Sequence, residues 1–319
     1  MLLIASQYSN PYYDQTFWGF FYQFVSRLWM FATGQLPLST LAADEIQVLV
    51  LAGVAVSGAL VGSFLVLRRM AMLANSLSHT ILVGIVIAFI LTRSTQHAVI
   101  NVPIMLLASL IMGVLTAVLT ELLHKAARLQ EDASMGIVFT TLFAFGIILV
   151  TLWTRNAHIG AEVVMGNVDA LHFDDLSLVY WILGINLLLF SLFFKEYKLT
   201  TFDPGLAKVL GVSILLFNYL LMVQVSATVV GAFRAVGVVM VLAFIVGPPL
   251  IARMLTHSLS TLLALAATAG VAASIIGVAL SRHLLTVYGM ALSTGGVVVC
   301  ILVFFYLSAL SWSLLRSRK

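Results

Sequence analysis

Apolar residues along this chain come in runs of roughly twenty, separated by short polar breaks, from residue 17 to residue 312. A run of that length is what an α-helix needs to cross the hydrocarbon core of a bilayer, about 30 Å at 1.5 Å per residue. The pattern predicts segments at 17–33, 46–67, 72–91, 99–123, 134–154, 176–194, 214–232, 236–252, 258–281 and 290–312. The fold class that follows is all-α, a polytopic membrane bundle of about 8–10 transmembrane segments. Two joints are almost loop-free, between 67 and 72 and between 232 and 236, as expected for tilted, broken or partly spanning helices. Gly247-Pro248-Pro249 predicts a break or an end in segment 236–252. The first segment is aromatic and interrupted by Gln23 and Arg27; it either spans or lies in the interface as an amphipathic helix.

Composition fixes the solvent. Of the residues, 62% are hydrophobic and 9% charged, where soluble domains carry about 25% charged. The net charge of +4 does not point to nucleic acid, because the basic residues sit at span ends and not on one patch. They also set the orientation. With the C-terminal tail inside, Arg68, Arg69, Lys125, Arg128, Lys195, Lys198, Lys208, Arg253, Arg316, Arg318 and Lys319 all fall inside. Leaving aside Arg27 within the first segment, only Arg93, Arg155, Arg234 and Arg282 fall outside, which obeys the positive-inside tendency. An even count of spans puts the N-terminus inside; if the first segment only lies on the surface, that terminus is outside. Met1 to Tyr13 holds no Lys or Arg, so the uncleaved spans are expected to direct insertion. The single cysteine, Cys300, can form no internal disulfide.

Three constellations could carry chemistry. The first follows Arg68-Arg69, where a new apolar span opens with Asn75, Ser76, Ser78, His79 and Thr80. Asn75 and His79 are four apart and share a helix face, with Ser78 beside them. Polar groups inside a membrane are costly and mark a bundle interior or a water-filled path, so this face reads as a route for a small cation. Imidazole suits zinc, manganese or iron, and an amide oxygen suits harder ions. The plainer reading has His79 bonded to a neighbouring helix and Asn75 capping its own. The second constellation is Lys195 to Gly211. Asp203-Pro204 reads as an N-cap with proline at the first helical position, Ala207 and Leu210 give an apolar side, and Gly211 stops the helix. The third is the outside loop 155–175, with His158, Glu162, Asp169, His172, Asp174 and Asp175. It lacks tight metal-ligand spacing and reads as a solvated loop. No Gly-x-x-x-x-Gly-Lys-Ser/Thr loop, Gly-x-Ser-x-Gly elbow or Cys-x-x-Cys occurs, so neither P-loop ATP binding nor visible enzyme chemistry has a seat.

These residues resemble the metal-cation ABC transporter permeases, which import zinc, manganese or iron in bacteria. Arg68-Arg69-Met70-Ala71 with Leu77-Ser78-His79 and Gly84 is similar to one block of that family. Phe202-Asp203-Pro204, Gly205, Ala207 and Gly211 resemble its cytoplasmic coupling segment. Arg234-Ala235-Val236-Gly237 through Gly247-Pro248 and Ala252-Arg253 resemble a third block. The likeness divides the chain into an aromatic N-terminal segment and loop, 1–45, and a permease domain, 46–319, with a coupling helix near 203–211. It implies a multi-pass protein of the bacterial cytoplasmic membrane with no permanently bound cofactor, carrying a divalent metal cation as substrate. Its expected partners are membrane lipid, a second like or unlike permease subunit, cytosolic ABC ATPase subunits gripping 203–211, and an extracytoplasmic metal-binding protein. The metal is expected to pass His79, with Asn75 and Ser78 offering oxygens. Asn75 stands where the family commonly has Asp, which removes a negative charge from the path; an unlike partner subunit supplying the carboxylate is one explanation. The alternatives are a permease for an iron chelate or cobalamin, which needs no ligand histidine, and a secondary transporter driven by an ion gradient.

Overall fold

A backbone surrounded by lipid must satisfy its own hydrogen bonds, and helices do so within each segment. The computed structural model describes residues 10–13, 15–37, 40–92, 102–153 and 168–317, and its elements are helical throughout. They are α1 (Phe17–Ala32), α2 (Ala43–Leu67), α3 (Ala71–Thr92), α4 (Val102–Ala127), α5 (Glu131–Trp153) and α6 (Phe173–Leu192). The short α7 (Phe194–Phe202) and α8 (Pro204–Val209) follow, then α9 (Ile214–Val236), α10 (Val238–Leu255), α11 (Leu259–Tyr288) and α12 (Thr294–Ser317). Among the described residues nine helices, α2 to α6 and α9 to α12, are long and apolar enough to cross a membrane.

Both short joints are real. Between α2 and α3 stand only Arg68, Arg69 and Met70. The Met70 N–H donates to the Leu65 carbonyl at 2.8 Å and the Arg69 N–H to Val66 at 3.2 Å, a Schellman closure. Its left-handed position is held by Arg69 at φ +62°, where glycine is usual, at a cost of about 1–2 kcal/mol. Between α9 and α10 stands only Gly237, at φ +78°.

Side-chain contacts sort the helix ends into two groups. Asp44 meets Arg282, and Asp169 meets both Gln47 and Thr294, at one end. Arg68 meets Thr200, Thr201 and Asn218 at the other. The spans therefore alternate in direction, and α7 and α8 lie at the end that the basic residues mark as inner.

The first segment resolves in favour of the surface. At 16 residues α1 is about 24 Å long, too short for the hydrocarbon core. It is pinned to the outer ends of its neighbours: the Phe17 N–H donates to His283 Nδ1 at 3.2 Å, and Arg27 pairs with Glu45. The Tyr12 hydroxyl donates to Glu45 Oε1 at 2.8 Å, and the Asn10 amide to Asp44 Oδ2 at 2.6 Å. Residues 10–13 are thus on the outer side, where a surface-lying first segment puts them. Burial and the adjacent carboxylate push the Tyr12 hydroxyl well above its ordinary range, so it stays a neutral donor.

At the centre stands α2, with 78% of its apolar stretch enclosed against 17% for α5 and for α12. It packs on α6, α9, α10 and α11, while α3, α4 and α5 form a second group joined through α9. The contact between α2 and α10 overturns one expectation. Gly247-Pro248-Pro249 does not end its helix: α10 runs through both prolines to Leu255. A proline leaves the carbonyl four residues earlier without a donor, here Phe244 and Ile245. Those two carbonyls face glycines of α2. A Cβ on Gly58 would lie 3.2 Å from the Phe244 oxygen, and one on Gly62 only 1.9 Å from the Ile245 oxygen. Bare glycine lets the α2 backbone cover both oxygens, and its Cα–H groups are weak donors to them.

Candidate functional site

The tight α2–α3 turn brings the first turns of α3 into the bundle. Asn75 and His79 are half-buried on one face, and Ser78 is fully buried. The Ser78 hydroxyl donates to the backbone carbonyl of Asn75 at 2.8 Å, so it is engaged within its own helix. The His79 ring lies against two phenylalanines of α5, with centroids at 5.2 Å from Phe139 and 5.3 Å from Phe143. Those phenylalanines stack on each other at 5.7 Å. The imidazole is therefore held by packing and stays half-buried. Behind it, α3 is clamped to α4. Thr116 donates to Thr80 at 2.9 Å, and a Cβ on Gly84 would meet the Ala108 carbonyl at 2.7 Å. Among the described residues, three or more His, Cys, Asp or Glu side chains nowhere converge as a metal cluster. One chain thus brings one imidazole and one amide to this face.

At the inner end, Asp203 caps α8 by accepting from the Leu206 N–H at 2.9 Å, and Pro204 occupies the first turn. Gly211 takes φ +76° and closes the segment. Ala207 is fully buried, but the expected apolar side is not completed by Leu210, which lies beyond the last helical residue and is exposed. Phe202, Leu206, Val209 and Leu210 instead present an uncovered apolar surface, with Val209 84% exposed. Gly205 is also exposed.

The element carrying this surface is anchored by a chain of buried polar groups. From α7, the Tyr197 hydroxyl donates to Gln224 of α9. The Gln224 amide reaches Asn186 of α6 at 3.4 Å, and Asn186 donates to Ser57 of α2 at 2.6 Å and to Thr228 at 2.8 Å. Burial raises the Tyr197 hydroxyl above its ordinary range and keeps it a donor.

The outer end holds a cavity of about 530 Å³ lined by Asp44, Gln47, Asp169, Arg282 and Thr294 among others. Its carboxylates already have partners. Arg282 grips both oxygens of Asp44 at 2.5 and 2.6 Å, and Asp169 Oδ1 accepts from Gln47 and Thr294 at 2.9 and 2.6 Å. Of the loop constellation, His158 and Glu162 lie outside the described residues. His172 and Asp175 form a capping box on α6, and Asp174 sits in its first turn. Asp169, His172 and Asp175 have structural partners and Asp174 is exposed; with Asp175 buried in the first turn of α6, this end of the segment is not the solvated loop expected.

Sequence reasoning missed the Phe139–Phe143 cradle and the partners of Arg68. The first has a signal, two phenylalanines four apart in one span. The second has none, because its partners lie 132 to 150 residues away.

Comparison with known proteins agrees with this architecture. A Chlamydia muridarum protein named "Probable metal transport system membrane protein" is 39% identical over 307 residues, 96% of each chain. The manganese transport system membrane protein MntD of Bacillus subtilis is 38% identical over 237 residues, 70% of this chain and 78% of that one. Other relatives are named for zinc and for chelated-iron transport. Among solved structures, PsaBC from Streptococcus pneumoniae in complex with Fab shares the fold, with a TM-score of 0.71 over 91% of this chain and 95% of that one at 24% identity. The sequence profile of the ABC 3 transport family matches residues 43–313, and with that match and those relatives the chain, a multi-pass membrane protein, belongs to the ABC 3 transport family.

Proposed function

We propose that the chain is the permease subunit of an ATP-driven importer for a divalent metal cation in the bacterial cytoplasmic membrane. The observation that carries this reading is the inner-end pair α7–α8, capped by Asp203 and showing an uncovered apolar surface, on a bundle of the ABC 3 transport family. A separate cytosolic ATPase is the partner such a surface fits. Two permease subunits enclose the path, and an extracytoplasmic binding protein delivers the cation, which is substrate and not a resident cofactor.

The cation passes the edge of α3. His79 offers a neutral imidazole nitrogen and Asn75 an amide oxygen, while Ser78, engaged with the Asn75 carbonyl, holds the backbone between them. One chain is short of donors for a tight site, so the second subunit completes the set; a transient site needs fewer, because the ion must leave. Names among the relatives include manganese, zinc and chelated iron, and an imidazole–amide pair accepts several of these ions.

The test is uptake in proteoliposomes holding the permease with its ATPase and binding protein, offered a panel of divalent ions. Accumulation that requires ATP is the expected result. Accumulation by the permease alone, driven by a proton or sodium gradient, overturns the reading.

A further inference from the structure

The inner-end element and the path face lie on different parts of the chain, and Arg68 grips the first from the turn that leads into the second. Arg68 caps the C-terminus of α2, three residues before α3 begins. Its guanidinium is half-buried and shared among three neutral oxygens. Nε donates to Thr201 Oγ1 at 3.0 Å, one terminal nitrogen donates to Thr200 Oγ1 at 2.8 Å, and the other donates to Asn218 Oδ1. Thr200 and Thr201 are in the last turn of α7, which runs through Asp203 directly into α8. Asn218 is in the first turns of α9.

Three features make this joint stiff. The planar guanidinium fixes several directions at once, as a lysine ammonium does not. The Schellman closure with Arg69 in the left-handed region leaves the α2–α3 turn little freedom. Tyr197, one turn before Thr201, is bonded separately to Gln224, so α7 is held at two points.

On the reading of the chain as an ATP-driven permease, we infer that Arg68 is the positioning residue that couples the α7–α8 element to α3. A displacement of α8 is carried through α7 and the guanidinium to the turn at Arg69, and from there to the first turns of α3, where Asn75 and His79 lie. The ion path then answers to the ATPase through one side chain and a three-residue turn.

The test compares Arg68→Gln, Arg68→Lys and the double variant Thr200→Val/Thr201→Val, which removes the acceptors on α7 and leaves Asn218 for the guanidinium. In proteoliposomes with the assembled transporter, Arg68→Gln and the threonine pair are expected to retain the ATPase and its hydrolysis. Metal carried per ATP falls on the order of tenfold, within the usual span of coupling between sites. Arg68→Lys recovers part of the ratio. An unchanged ratio in both variants overturns the proposal, as does a loss of transport that only tracks loss of assembly. A second measurement stands apart from transport. Spin labels at Lys198→Cys and Met72→Cys, with Cys300→Ser, report the α7–α3 distance in the permease. A narrow distribution that broadens in Arg68→Gln supports the joint, and one that does not change refutes it. Should the unaltered complex show no ATP-dependent uptake, the functional reading fails while this distance still judges the joint.

Discussion

Gly62 of α2 lies so close to Ile245 of α10 that a Cβ there would sit 1.9 Å from the Ile245 carbonyl oxygen. That oxygen is the one Pro249 leaves without a helical donor. Replacing Gly62 by Ala forces the two helices apart and uncovers it. Overpacking of this kind costs about 1–3 kcal/mol. A clear drop in thermal unfolding temperature in nanodiscs is expected for Gly62→Ala. Gly136→Ala, where a Cβ meets nothing within 4 Å, should leave it unchanged or slightly raised.

His79→Ala removes the only imidazole on the α3 face and should lower metal uptake by about tenfold or more, comparable to loss of one good ligand contact. Membrane insertion and association with the ATPase should persist. Phe143→Ala, which frees one side of the ring, should weaken uptake less. Wild-type accumulation in His79→Ala would remove this face from the path.

Asp203→Ala deletes the cap of α8, at about 1 kcal/mol. Co-purification with the ATPase should fall while the bundle's unfolding temperature changes little, because α8 is surface-borne. Val209→Asp places a charge on the most exposed apolar position of that surface and should abolish co-purification outright. Retention of the ATPase by both variants would mean that it docks elsewhere.

At the outer end, Arg282 holds Asp44 through both carboxylate oxygens, and the Asp44 side chain is 4% exposed. Asp44→Asn leaves a half-buried guanidinium without its counter-charge, a loss of about 3–5 kcal/mol for a buried pair. Asp44→Asn combined with Arg282→Met should recover much of it. Equal unfolding temperatures for the single and double variants would show that the pair is not coupled.

The helical content, the span positions and the near absence of loop at Arg68–Met70 and at Gly237 were legible from runs of apolar residues. So was the Asp203-Pro204 start of α8, because capping is a local matter. Pro248 and Pro249 were misread for a definite reason. The rule that proline ends a helix considers one helix, and here the neighbouring Gly58 and Gly62 cover the two orphaned carbonyls. Burial of the Ser78 hydroxyl, the aromatic cradle of His79 and the threonines gripping Arg68 depend on which helices become neighbours. No spacing within one segment encodes that.

One rod runs through all of this. At its outer tip α2 carries Asp44 and Glu45, tied to α11 and α1; midway it meets α6 and α10 through Ser57, Gly58 and Gly62; at its inner tip it carries Arg68. A helix so enclosed has no slack along its axis. If a ligand at the outer end and the proposed partner at α8 both bias the tilt of this rod, each must change the other's affinity by the same factor.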